Sequence, residues 1–214
     1  MGDFKTTLSA SVAAAAVTAV LASTPASANI VAGSAFAVPT TVAMNAIPAN
    51  VPATTPNMTF TVPTPIDFNS ANAANGYTPG GFVGTGGATI LTGTAAYLAS
   101  TLNSTLFDFK GTVTVTTGEK FQAGHDDGLT LTIGGLPVIS APGPTAFVLT
   151  TDTYTGPSGN LPFELVYGEC CGAPAVLEIN LPFSSPIPEP ASLALLGTAL
   201  AGLGAAMRRR RKTR

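Results

Sequence analysis

The middle of the chain alternates apolar and polar residues with a period of two, the pattern of half-buried β-strands. Glycine, proline, asparagine and aspartate separate these segments, for example at Asp127-Gly128 and Gly134-Gly135. Short strands at such spacing predict an all-β fold, an antiparallel sandwich over residues 57–184. The alternating apolar positions are Met58, Phe60 and Val62; Val113 and Val115; Leu129, Leu131 and Ile133; Phe163, Leu165 and Tyr167; and Leu177, Ile179 and Leu181.

Residues 29–56 have a different composition. They are rich in alanine, proline, threonine and valine, contain no charged residue, and show no sustained period of either helix or strand. This pattern predicts an extended lead-in ahead of the sandwich.

The first 28 residues have the order of parts of a secretory signal peptide. A start containing Lys5 leads into an apolar stretch, Ser11–Ala22, which is followed by Pro25 and by small residues at Ala26 and Ala28. The apolar stretch is shorter than the roughly 20 residues of a membrane-spanning helix. We therefore expect a signal helix over residues 1–28 that signal peptidase removes; the alternative is an N-terminal anchor or a buried helix.

The C-terminal end, residues 185–214, combines three features in a specific order. Pro188, Glu189 and Pro190 precede an apolar segment, residues 191–207, and a basic tail, residues 208–214. A helix over the apolar segment would be about 26 Å long, enough to cross a bilayer. The basic cluster that ends it predicts a cytoplasmic tail and a body outside the inner membrane. This cluster contains Arg208, Arg209, Arg210 and Arg211.

This arrangement resembles the PEP-CTERM sorting signal of Gram-negative bacteria, over residues 187–213. The resemblance implies that the chain is the substrate of an exosortase, a membrane cysteine protease-transpeptidase that acts near the Pro-Glu-Pro element. The body would pass from an inner-membrane intermediate in the periplasm to the cell surface or extracellular matrix. A permanent C-terminal anchor is the alternative, and both readings export the body.

Charge narrows the choice of partners. Charged residues make up 9% of the chain, against about 25% in a typical soluble domain. The body between the two ends contains two lysines, Lys110 and Lys120, against nine carboxylates, a net charge of −7. This excess of negative charge excludes a nucleic-acid partner.

The most informative chemistry lies at Asp126 and Asp127. Adjacent carboxylates repel each other unless a cation, hydrogen bonds or solvent compensates. Hard oxygen ligands on a tight loop suit Ca²⁺, which takes six to eight oxygens. The alternative is a solvated hairpin turn made of ordinary turn-forming residues.

The stretch from Phe107 to Phe183 resembles the PA14-like family of β-sandwich domains, which includes calcium-dependent fungal adhesins. It has the family's order of an opening strand, an Asp-Asp-Gly loop, an apolar strand ending in Gly-Gly, and a late strand ending in tyrosine. In the adhesins the aspartate pair, joined by a cis peptide, binds a Ca²⁺ that touches sugar hydroxyls. The resemblance assigns that role to Asp126 and Asp127. Unlike the adhesins, this chain has no tryptophan and no evident aromatic platform beside the loop.

Three further residue types bear on the site. Cys170 and Cys171 are adjacent, and in an oxidising compartment they form a vicinal disulfide, bond to another molecule, or stay reduced. Glu169 lies on a late loop where it would be an extra ligand or a third repelling charge. His125, the single histidine, is read as a strand-end residue because no second histidine or positioned nucleophile accompanies it.

The sequence thus predicts an exported, non-enzymatic protein. Its body would bind exopolysaccharide through calcium at Asp126 and Asp127. The alternative function is a structural matrix protein without a specific ligand. A glycan-cleaving enzyme is disfavoured because no carboxylate pair flanking a cleft is evident.

Overall fold

The structure is a computed structural model and describes residues 29–181. The predicted signal helix over residues 1–28 lies outside the described residues. So do the sorting element Pro188–Pro190, the apolar segment 191–207 and the basic tail 208–214. Within residues 29–181, no helix has the length and apolar character needed to cross a membrane.

Eleven strands account for nearly half of the described residues. They are β1 (Ile30–Ala37), β2 (Met58–Pro63), β3 (Ile66–Asn69), β4 (Thr89–Gly93), β5 (Thr105–Val115), β6 (Lys120–His125), β7 (Gly128–Ile133), β8 (Leu136–Ala141), β9 (Val148–Thr153), β10 (Gly159–Glu169) and β11 (Val176–Ile179). Three short helices connect them: α1 (Thr40–Ala43), α2 (Pro79–Thr85) and α3 (Ala95–Leu98). Two 3₁₀ turns complete the elements, Pro48–Asn50 and Ser70–Asn72.

The strands form two antiparallel sheets. The larger has seven strands in the order β4-β2-β1-β5-β10-β7-β8, and the smaller has four in the order β3-β11-β6-β9. Every strand pair is antiparallel. The predicted all-β antiparallel sandwich is confirmed.

An aromatic cluster fills the space between the sheets. Its rings contact each other edge to face or offset, with centroids 5.1 to 6.4 Å apart, the range in which aromatic pairs attract beyond simple burial. The helix α2 contributes one of these rings and thereby closes the core between β3 and β10. The cluster consists of Phe60, Phe68, Phe82, Phe107, Phe109 and Tyr167.

The prediction of an extended lead-in over residues 29–56 is wrong for its first part. Strand β1 lies inside the larger sheet, paired with β2 on one side and β5 on the other. Its inward positions are small because the Phe60 ring lies over Gly33, where an added Cβ atom would collide with that ring. Small residues give no clear alternation of apolar and polar positions, so the hydropathy pattern does not predict this strand. The sandwich therefore begins at Ile30 and not at residue 57.

The remainder of that segment also packs on the body. Ala46 is fully buried in a small cluster with Leu106 and Val166, on the outer face of the larger sheet. The Ala46 amide donates a hydrogen bond to the Pro142 carbonyl at 3.0 Å. Residues 38–51 therefore cover one end of the sheet.

Both ends of the described chain leave the sandwich at the same pole. The Asn29 carbonyl accepts a hydrogen bond from the Thr64 amide, in the β2–β3 turn, at 3.0 Å. Strand β11 ends at Ile179, paired with Ile66 near that same turn. We call this the terminal pole; the Asp126-Asp127 loop between β6 and β7 lies at the other, the acidic pole.

The fit between Gly33 and Phe60 can be tested by substitution. We expect Gly33→Ala to cost about 1–3 kcal/mol of unfolding free energy, because the core must shift to admit a methyl group. Urea unfolding of the full-length protein in mild detergent, followed by circular dichroism, measures the change. Gly84→Ala is the matched control: an added Cβ there meets no atom within 4 Å, and alanine favours the helix. Equal stability of the two variants would contradict the placement of β1.

Candidate functional site

Three carboxylates converge at the acidic pole. Asp126 and Asp127 come from the β6–β7 loop, and Glu169 ends β10. One carboxylate oxygen from each lies within 4.8 Å of the others. Asp127 is 3% exposed and Glu169 is completely buried, whereas Asp126 is partly open to solvent. The expectation that the late loop would bring Glu169 to the aspartate pair agrees with this geometry.

The backbone of the loop is held from both sides. The Asp126 amide donates to the Val176 carbonyl at 3.1 Å, and the Asp127 amide donates to the Thr145 carbonyl at 2.8 Å. Asp127 itself takes the left-handed conformation, with φ of 65°, which aspartate tolerates better than most residues. The turn is therefore made by Asp127, and the following glycine has another purpose.

Gly128 already belongs to β7, where it pairs with Gly168 of β10. A Cβ atom at Gly128 would collide with the Pro142 carbonyl, and one at Gly168 would collide with the Ala43 carbonyl. The two glycines let the covering segments approach the sheet directly beside the carboxylates. Within residues 29–181 both cis peptide bonds precede proline, Thr64-Pro65 and Ala173-Pro174, so the cis Asp-Asp bond implied by the adhesin resemblance is not present.

The cysteine pair supports Asp127. In the structure a disulfide joins Cys170 and Cys171. Their two consecutive amides both donate to the Asp127 Oδ2 atom, at 2.9 and 3.3 Å. These two amides hold the Asp127 carboxylate in place beside the loop.

Glu169 is held by two tyrosine hydroxyls. Tyr77 donates to its Oε1 atom, and Tyr167 donates to its Oε2 atom at 2.7 Å. Burial raises the pKa of Glu169 to about 8, and the charges of Asp127 and Asp126 add to the rise, against the lowering effect of the tyrosines. Burial, then the neighbouring Asp127, raises the pKa of Asp126 to about 6.

Neither lysine within residues 29–181 neutralises these acids. Lys110 is engaged by Asp108 at 2.8 Å and by Glu164 at 3.1 Å. Lys120 begins β6, about 17 Å of strand away from His125 at the acidic end. Within residues 29–181, compensation at the acidic pole comes from hydrogen-bond donors, and what they leave uncompensated would be met by protons or by a bound cation.

The donor set fits a hard divalent cation. Two oxygens on opposite sides of one Ca²⁺ are about 4.6–5.2 Å apart, twice the usual calcium–oxygen distance, and the three carboxylates meet that limit. Carboxylate oxygens are the ligands that Ca²⁺ prefers. Asp126 and Asp127 would hold the ion from the loop, with Glu169 beneath them.

His125 ends β6, as the sequence predicted, and is completely buried. Its Nδ1 atom lies 2.7 Å from the Asp127 carbonyl, and its Nε2 atom lies 2.8 Å from the Thr150 hydroxyl. Because a carbonyl only accepts, Nδ1 carries the proton. Burial lowers the pKa of His125, so the ring stays neutral and fixes the loop.

Sequence reasoning missed the tyrosines. Tyr77 lies in a Gly- and Asn-rich loop with no periodic pattern, and its hydroxyl reaches both Glu169 and the Asn103 amide oxygen. In the sequence pattern Tyr167 is only one of the alternating inward positions of β10. An inward-facing tyrosine that needs a polar partner is the one signal that pointed to a buried acid.

Comparison with known proteins bears on both parts of the chain. The profile of the PEP-CTERM protein-sorting motif matches residues 186–211. The chain carries a PEP-CTERM sorting motif. No curated protein matches the chain.

The body has the fold of PA14 domains. It is similar to a PA14 sugar-binding domain from an RTX adhesin, with a TM-score of 0.55, 20% identity, and coverage of 72% of this chain and 90% of that one. It is also similar to the PA14 domain of the MpAFP antifreeze protein, with a TM-score of 0.52, 18% identity, and coverage of 80% and 90%. At this identity the likeness concerns the fold.

Protonation of the carboxylate cluster predicts a pH dependence. Both raised pKa values mean that the folded protein holds protons that the unfolded chain has released. In the presence of a chelator, these two carboxyl groups add stability that is lost as the pH rises to about 8, whereas the lowered pKa of His125 removes stability below about pH 6.5. The free energy of unfolding should therefore fall between about pH 6.5 and 8. Thermal unfolding across this range measures the slope.

Glu169→Gln should flatten much of that slope, because a neutral amide acquires no charge. Its oxygen still accepts from one tyrosine hydroxyl, and its NH2 group donates to the other. Asp152→Asn, which removes an exposed carboxylate on β9, is the control and should leave the slope as in the wild type. A Glu169→Gln protein with the wild-type slope would show that Glu169 does not titrate in this window.

Proposed function

We propose that the chain is an exported surface or matrix protein, processed by signal peptidase at its start and by an exosortase at its end. The PEP-CTERM motif over residues 186–211 supports the second step. In this proposal the body crosses the inner membrane and is anchored in the periplasm by a C-terminal membrane helix. It is then transported to the cell surface or extracellular matrix. The C-terminal segment is a substrate and takes no part in chemistry.

The body, in this proposal, binds exopolysaccharide in a calcium-dependent way. The observation that carries it is the convergence of Asp126, Asp127 and Glu169 within 4.8 Å, where no lysine of residues 29–181 neutralises them. A bound Ca²⁺ supplies open coordination positions that sugar hydroxyls can fill. The chain's own part is to orient Asp127 through the two cysteine amides and to keep Glu169 fixed beneath the loop through its tyrosines.

One observation favours the second candidate function, a structural matrix protein without a specific ligand. Glu169 already has two hydroxyl donors, and its pKa near 8 leaves it protonated at neutral pH. A protonated Glu169 relieves part of the repulsion without any ion. The two functions therefore differ in whether calcium replaces that proton.

Calcium titration separates them. At 100 times its dissociation constant, a ligand that binds only the native state adds about 2.7 kcal/mol, which for a body of this size raises the thermal midpoint by about 8 °C. We expect that rise in the full-length protein in mild detergent, and its loss in Asp126→Ala. Asp152→Ala, a carboxylate outside the cluster, should respond like the wild type.

No rise at millimolar Ca²⁺ would favour the structural role. A glycan array probed with the same protein, with and without chelator, then tests the sugar: calcium-dependent function requires spots that disappear when the chelator is added. Spots that persist unchanged would contradict calcium-mediated binding.

Tail processing is tested separately, by mass spectrometry of protein extracted from the surface of a host that makes an exosortase. We expect the mature protein to start near Asn29 and to end near the Pro-Glu-Pro element. Glu189→Ala should keep its C-terminal segment, because the sorting element is broken. Wild-type protein that retains residues 191–214 at the surface would instead indicate a permanent anchor.

A further inference from the structure

A second feature lies on the outer face of the smaller sheet, away from the carboxylate cluster. An open groove of about 400 Å³ crosses all four strands of that sheet. Gly124 of β6 lies in its floor, between Glu178 of β11 on one side and Leu149 of β9 on the other. A groove of this volume is in the range of small-ligand sites.

Polar side chains line the rest of the groove. Gln122 and Asn180 present amides that both donate and accept hydrogen bonds, the chemistry that matches sugar hydroxyls. Gln122 is already oriented by its hydrogen bond to the Thr151 hydroxyl, at 3.1 Å. Along β6 the lining extends from Gly124 to Lys120, about 13 Å of strand, so the groove is long enough for more than one sugar ring.

An aromatic ring stands at the acidic-pole end of this groove. Phe147 precedes β9 and is 49% exposed. A Cβ atom at residue 124 would lie 3.1 Å from the Phe147 ring and 3.3 Å from a carboxylate oxygen of Glu178, so the ring and the carboxylate flank the same point. A partly exposed ring beside a polar groove offers a platform for the apolar face of a sugar. The sequence had shown no such platform.

The charges that line the groove indicate which class of sugar it would bind. Asp67 and Glu178 are directly opposite each other on adjacent strands, an arrangement that is destabilising for like charges. Within residues 29–181 neither carboxylate is in an ion pair, and the two outnumber Lys120, the one basic residue of the groove lining. A protonated amine, with three donors and a positive charge, complements both, whereas the net negative body repels an acidic polysaccharide.

We propose that this groove binds an amine-bearing glycan, a chain of hexosamine units, with one ring on Phe147 and an ammonium group between Asp67 and Glu178. The groove requires no calcium and is separate from the Asp126-Asp127-Glu169 cluster. The groove would give the body a second polysaccharide-binding site. The two sites together would then favour a long, extended glycan chain. If the groove does not bind this glycan, the calcium proposal is unaffected. If the carboxylate cluster does not bind calcium, the groove proposal is unaffected.

Isothermal titration of the full-length protein in mild detergent, with EDTA present, tests the proposal. The probes are a fully deacetylated glucosamine hexamer, its N-acetylated counterpart, and a glucose hexamer of the same linkage. We expect the deacetylated hexamer to bind at least about tenfold more tightly than the other two, the difference that one charge-assisted hydrogen bond makes. Raising the salt concentration should weaken that binding.

Variants locate the binding. Glu178→Gln and Phe147→Ala should each weaken the deacetylated hexamer about tenfold, while Asp152→Asn, which removes a charge from the same sheet outside the groove lining, should not. Equal affinity for all three hexamers, no effect of Glu178→Gln, or loss of binding in EDTA would each overturn the proposal.

Discussion

The repulsion between three carboxylates at one pole is the constraint on which the local structure depends. Asp126, Asp127 and Glu169 are brought together by the β6–β7 loop and the end of β10, which are far apart in sequence. Burial makes each charge costlier than it would be in water. The surrounding chain supplies donors in place of cations: two cysteine amides for Asp127 and two tyrosine hydroxyls for Glu169. The negative charge that these donors do not offset determines whether the acidic pole binds protons or a metal ion.

The same constraint explains why this end of the sandwich is covered so closely. Gly128 and Gly168 face each other on adjacent strands, and their missing side chains make room for the Pro142 and Ala43 carbonyls. The covering segments exclude water from Glu169, whose burial is the largest cause of its raised pKa. Close packing and the electrostatics of the cluster are therefore two consequences of one arrangement.

The sequence predicted the parts of this protein that have a strong period or a strong local signal. Strands β2, β5, β7, β10 and β11 alternate clearly, and Asp126-Asp127 stands out as a like-charged pair. It did not predict β1, because a strand packed beneath Phe60 needs small residues. Nor did it predict Tyr77 or the role of Phe147, since both come from loops whose position only the tertiary fold determines.

The topology relates the two ends of the molecule to its proposed sites. Asn29 and Leu181 leave the sandwich at the terminal pole, and residues 182–190 separate Leu181 from the apolar segment that begins at Ala191. Even fully extended, that connection reaches about 35 Å, so a body still tethered by the proposed membrane helix would keep its terminal pole near the bilayer. Strand β10 places Glu169 about 33 Å of strand from Gly159. The carboxylate cluster would then face away from the membrane, where polysaccharide can reach it before the tail is removed, and binding would not have to wait for sorting.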